Sequence, residues 1–426
     1  MIGKNGTGAR VALAGALLLS TINAAQAGNL KFTLIDTGGA GPGTNAYAGF
    51  KAATDYWSSV LVTKTGDINI NLDIGFNSLG NNILGSTGSS QVVAPIFGLE
   101  SRLAAVSSGS AFDIKSVSNL PKLYDGIFGA NTAVKVYTPG YTHPDDKIGI
   151  NNSTKVYDTD GGFNNSAIGV NTANAKALGY AISHDTVDGS VRFNSDYAAD
   201  FDFNPGNGIL ANHIDFVGVA IHEIGHALGF VSGVDDYDFV GTGGPIANLA
   251  CFSDGTLCKD YPANDTWWGY TLDLFRYSSQ GKLDWTTDTP SYFSIDGGKS
   301  TVFGDGYFST GTFNGDGWQA SHWKAPINSA GNFTCALPFE GIMNPYLCDG
   351  SNAVITGEDL AAFDAIGYNL APGVGGERYR FSTSGITVAV PEAATWAMML
   401  AGFGLIGATV RRRRAANVKL GFAPLT

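Results

Sequence analysis

Two histidines one helical turn apart, with a carboxylate beside the first, stand at His222, Glu223 and His226 in the stretch VAIHEIGHALGFVSGVDDYDF, Val219 to Phe239. Imidazoles at i and i+4 share one face of a helix and can bind one zinc ion. Glu223 stands where a general base could take a proton from a water on that ion. Catalytic zinc usually takes three protein ligands, so a third must come from elsewhere. In the longer pattern H-E-x-x-H-x-x-G-x-x-H the glycine is present as Gly229, but the last position is Ser232.

The candidates for that third ligand are few. The chain has six histidines in all. His213 lies just ahead of the expected helix and would face its wrong end, and His143 and His184 lie in polar loops. His322, in WQASHWKAP (Trp318 to Pro326), is left. Asp235 is the rival: it and Asp236 follow the helix closely, but three and four positions beyond the slot at Ser232.

The helix that must carry the pair is legible. Val217, Ile221, Ile224 and Leu228 recur at helical spacing, Asp215 precedes them as an N-cap and Gly229 follows as a C-cap glycine. Further upstream, NLKFTLIDTG (Asn29 to Gly38) reads as a strand. NAYAGFKAATDYWSSVL (Asn45 to Leu61) reads as a helix, and DININLDIGF (Asp67 to Phe76), with its alternating Ile and Leu, as a half-buried strand. Short strands are expected at Thr132 to Val136 and Ser190 to Phe193, a short helix within Val92 to Ile114, and an amphipathic stretch at YTLDLFRYSS. EDLAAFDAIGYNL, Glu358 to Leu370, has the apolar spacing of a late helix. The fold class expected is α+β: a mixed twisted sheet with the histidine helix over residues 28–230, then a loop-rich subdomain over 231–372. Residues 373–389 read as a linker containing a weak strand.

Both ends look like addresses. Lys4 and Arg10 precede the apolar run Val11 to Leu19, and Ala25-Gln26-Ala27 is a small-x-small cleavage site, so residues 1–27 read as a secretory signal peptide. At the other end, Trp396 to Val410 is an uncharged apolar run closed by Arg411 to Arg414, the layout of a transmembrane helix with a cytoplasmic basic end. Setting both ends aside leaves 18 basic against 36 acidic residues. A net charge near −18 makes nucleic acid a poor partner. The four cysteines fall into two close pairs, Cys251 with Cys258 and Cys335 with Cys348, which in an exported chain read as local disulfides.

Two resemblances follow from these motifs. HEIGHALGF, then a long insertion, then SHWK, then EGIMNP resembles the leishmanolysin-like metzincin zinc metalloproteases. That resemblance implies a metzincin-like fold with His322 as the displaced third ligand beside His222 and His226, Glu223 as general base and Met343 as the Met-turn. No cysteine occurs between Gly28 and Ala250 to act as a propeptide inhibitor of the zinc. Residues 390–426, with Pro391-Glu392, the apolar run and the arginine cluster, resemble the PEP-CTERM sorting tail. That implies export, anchoring in the inner membrane through the tail helix, and delivery by an exosortase-type sorting enzyme to the cell surface or extracellular matrix.

Weaker signals remain. DTDGG at Asp158 and FNGDG at Phe313 could hold calcium, but neither has a closing glutamate and both read better as solvated turns. Tyr346 could face an oxyanion. The function expected is an exported zinc endopeptidase acting on proteins or peptides. The alternatives are a surface or matrix protein with a structural zinc site and, with similar chemistry, a zinc amidase of cell-wall peptides.

Overall fold

The computed structural model describes residues 27–388 except 252, 263, 265–267, 330, 331, 337 and 338. The expected signal peptide up to residue 26 and the sorting tail with its apolar run lie outside the described residues. Among those described, no helix is long and apolar enough to cross a membrane.

The first half is built on one mixed sheet. β1 (Gly28–Asp36) leads into α1 (Asn45–Val60), whose cap is Thr44, its hydroxyl accepting from the Tyr47 amide at 3.1 Å. β2 (Leu61–Thr63), β3 (Ile68–Asn77) and β4 (Gly85–Ser89) follow, and β5 (Val187–Asn194) returns to the sheet about a hundred residues later. β1 and β5 both pair parallel to β3, while β4 pairs antiparallel to β5 and is left as the sheet's edge. On β3 the alternation read from sequence is realised: Ile68, Ile70, Leu72 and Ile74 are buried on one face.

Against that face lie α1 and α2 (Phe216–Leu228). Val217, Ile221, Ile224 and Leu228 are fully buried, each contributing roughly 1.5–3 kcal/mol against exposure. The Trp57 indole of α1 donates to the Ile221 carbonyl at 3.0 Å, and Phe50, Phe193 and Phe216 pack edge to face and tilted around the start of α2. The histidine helix is therefore anchored by apolar area along its length before any polar group is considered.

The second half has short elements and long connections. After Gly229, whose φ of 124° ends α2, a short helix α3 (Val234–Val240) is followed by a small antiparallel sheet of Arg276–Ser279, Lys282–Leu283, Ser291–Phe293 and Tyr307–Phe308. The YTLDLFRYSS stretch is a 3-10 turn at Thr271–Phe275 running into the first of these strands. The cysteines form the bridges Cys251–Cys258 and Cys335–Cys348.

The end of the late helix is corrected, and the other elements expected here are placed. The late helix, α4 (Gly357–Ala365), stops short of Leu370 because Gly367 takes a φ of 107°. Leu370 instead belongs to β6 (Asn369–Leu370), which pairs with β2 and extends the main sheet. The region Val92 to Ile114 holds the helix Ile96–Val106 and the start of a second, Ala111–Ser118. Residues 373–388 contain the weak strand expected there: Arg380–Ser382 pairs antiparallel with Val354–Thr356, and Thr383 is fully buried. The folded unit thus runs to Val388.

Candidate metal centre

α2 presents His222 and His226 on one face, and the chain returns to meet them. The Nε2 atoms of His222 and His226 lie 3.1 Å apart, and each lies 3.2 Å from Nε2 of His322. Among the described residues this is the one group of three or more His, Cys, Asp or Glu side chains close enough to share an ion.

The outer nitrogens show which tautomers these rings hold. Nδ1 of His222 faces the Ile342 carbonyl at 2.7 Å, Nδ1 of His226 the Phe230 carbonyl at 2.7 Å, and Nδ1 of His322 the Gln319 carbonyl at 3.2 Å. A carbonyl can only accept, so each Nδ1 carries the proton and each Nε2 is left with a lone pair. Burial pushes His222 down to about 4 and, with His222 alongside, His226 down to about 3. His322 is held well below its ordinary value, by burial and then by His226 and His222. Three neutral imidazoles therefore aim three lone pairs at one point, which is repulsive unless a cation sits there. Nitrogens about 2.0–2.1 Å from a tetrahedral zinc stand roughly 3.3 Å from one another, so the triad fits that ion.

Glu223 follows His222 on the helix but turns toward β4. The Thr87 hydroxyl lies 2.8 Å from its Oε2 and 2.9 Å from its backbone carbonyl. Burial pushes the Glu223 carboxyl up to about 7, against the pull of Thr87. Gly85 is the other wall: a Cβ there would sit 2.6 Å from Oε1 of Glu223. Only glycine leaves room for this carboxylate.

Met343 lies beneath the helix, fully buried, with its sulfur where a Cβ on Gly225 would be 2.6 Å away. Its carbonyl accepts from the Trp323 amide at 3.0 Å, so the segment that carries His322 and the turn that carries Met343 are joined directly. Tyr346 is exposed and packs its ring against Phe333, with centroids 4.0 Å apart.

The other site candidates are placed elsewhere. Asp235, the rival ligand, points away from the triad: Oδ1 accepts from the Ala320 amide at 2.6 Å and Oδ2 from the Ser321 amide at 2.9 Å and hydroxyl at 2.5 Å. Both of its oxygens are spent on backbone that leads into His322. Ser232, in the slot where the longer motif puts its third ligand, donates its amide to Ser321 Oγ at 2.9 Å and its hydroxyl to Asp273 at 2.6 Å. Asp158 is taken up by the amides of Asn164 at 2.8 Å and Asn165 at 3.2 Å, and Asp316 by the Thr310 amide at 3.0 Å.

Sequence reasoning missed Thr87, Gly85, Asp273 and Asp359. Only Asp359 left a trace, as the acidic residue of a Thr356-x-x-Asp359 capping box on α4. That pattern announces a helix start and says nothing of the site.

Residues 389–414 match the PEP-CTERM protein-sorting motif family. Exosortase-type sorting enzymes recognise this motif, and it marks an exported protein sorted at the membrane. The match covers the tail alone. No curated protein and no solved structure matches the chain, and neither comparison supports the resemblance to the leishmanolysin-like metzincins.

Proposed function

We propose that this exported chain is a zinc-dependent endopeptidase hydrolysing peptide bonds in proteins. The observation that carries the reading is the triad itself: three neutral imidazoles converge beside a buried glutamate, with no fourth ligand-bearing side chain in the cluster among the described residues. Structural zinc sites fill the fourth position with protein and need no base beside a ligand, whereas catalytic ones leave it open.

Zinc held by His222, His226 and His322 would supply a Lewis acid that polarises a carbonyl and lowers the pKa of a water. Glu223 does the proton work. Glu223 is placed to take a proton from a water and return it to a leaving amine. Thr87 keeps that carboxylate from swinging freely. β4 is the edge of the sheet, and its sequence GSTGS leaves the approach low, so an extended peptide can add to it as a further strand beside Glu223.

The test is zinc content and casein cleavage of the purified exported chain beside Glu223→Gln. Zinc at one ion per chain in both, with cleavage in the parent and a loss of 10²-fold or more in the variant, supports the reading. Cleavage that survives the substitution overturns the mechanism. A zinc-loaded parent that cleaves neither proteins nor cell-wall peptides returns the site to a structural role.

A further inference from the structure

His322 reaches the other two ligands from 96 residues beyond His226, on a stretch of chain with almost no regular structure of its own. A single bond at Nδ1, 3.2 Å long, orients its ring. The chain on each side of it is nonetheless held by two different carboxylates, through the backbone before it and through the Trp323 indole after it.

On the preceding side stands Asp235 of α3. Its three hydrogen bonds, described above, take both amides of Ala320–Ser321 and the Ser321 hydroxyl. The same hydroxyl receives the Ser232 amide, so the chain leaving α2 is locked to the chain arriving with His322. On the following side stands Asp359 of α4, fully buried. Its Oδ1 accepts from the Trp323 indole at 2.8 Å and the Met343 amide at 3.2 Å, and its Oδ2 from the Ile342 amide at 2.8 Å and the Thr356 amide at 2.8 Å. Ile342 is the residue whose carbonyl holds Nδ1 of His222. Asp359 therefore grips the neighbour of one ligand and the partner of another.

We propose that Asp235 and Asp359 form a two-carboxylate clamp that positions His322 for metal binding. This rests on reading the histidine triad as a zinc site. Neither is a ligand or a catalytic residue; each acts through backbone and through the indole and hydroxyl that flank the ligand. A carboxylate suits the task because it can accept several amide bonds at once without offering a donor in return. Outer partners of this kind typically govern metal affinity by 10–100-fold.

The experiment measures zinc affinity of the full exported chain by competition with a chromophoric chelator, for the parent, Asp235→Asn and Asp359→Asn. Melting of each zinc-stripped protein is the control. The amide of asparagine turns a donor toward N–H groups, so each variant is expected to bind zinc 10–100-fold more weakly, with His322→Ala weaker still. Were either variant not to fold, Ser321→Ala and Trp323→Phe replace it: each deletes one clamp contact and keeps the backbone, and each is expected to weaken zinc binding several-fold. Affinity within twofold of the parent in the folded variants overturns the clamp. Loss of apo stability with zinc affinity unchanged overturns it equally, because that is a purely structural role. A parent that binds zinc through the three histidines but cleaves no substrate refutes the endopeptidase reading and leaves the clamp standing.

Discussion

The hydroxyl of Thr383 lies 2.5 Å from Oδ2 of Asp215, the residue whose Oδ1 caps α2 at the Gly218 amide. Six residues before the sorting tail begins, the chain is thus tied to the start of the helix that bears His222, Glu223 and His226. Thr383→Ala removes a hydrogen bond to a buried carboxylate and is expected to cost about 1.5–3 kcal/mol. A chain cut at residue 372 should melt well below one ending at 388 and release zinc more readily. Equal melting temperatures for the two truncations would show that the segment 373–388 is dispensable.

Gly85 offers a way to disturb Glu223 without touching the three histidines. Gly85→Ala places a methyl 2.6 Å from Oε1 of Glu223 and must displace that carboxylate. The expected result is a fall in kcat of about tenfold or more with zinc stoichiometry unchanged. Steady-state kinetics paired with metal analysis check it, and a variant as active as the parent would exclude Glu223 in its observed position from the reaction.

Met343 tests the floor of the site. Met343→Ala opens a cavity under α2 and is expected to destabilise by about 2–5 kcal/mol, whereas Met343→Leu, which keeps the volume, should cost less than about 1.5 kcal/mol. Chemical denaturation of the zinc-stripped forms separates this packing effect from metal binding.

Asp364 gives a pH signature from outside the histidine triad. Burial, with Asp113 nearby, pushes its carboxyl up to about 8. The folded state therefore holds that proton more tightly than the unfolded chain, where the group titrates near 4. Its contribution turns unfavourable as pH rises from about 4 and is fully so above about 8. Asp364→Asn should flatten the curve and stabilise the protein above pH 8 by on the order of 2–5 kcal/mol. Thermal melts from pH 4 to 9 would detect the opposite slope if the group were ionised in the fold.

How much of this was open to reading depends on how local each signal is. α1, β3 and α2 carry their periodicity within a dozen residues, and Asp215 and Gly229 mark the ends of α2 as caps should. The two helical histidines and Glu223 came with them. His322 was one of two named candidates, and only the fold shows which of the two lies against the pair and what the other does. The clamp residues, Thr87 and Gly85 were hidden because their partners are 85 or more residues away or, for Asp359, on three separate segments. The late helix was drawn too long because Leu370 kept the apolar rhythm while Gly367 had already turned the chain.

The 96 residues between His226 and His322 decide when the triad can close. The first half alone brings two of the triad's three imidazoles together. The third ligand arrives late, and the carboxylate that steadies it later still, at residue 359. On the zinc reading proposed above, the site stays one ligand short until the chain beyond residue 322 has folded back against the first half.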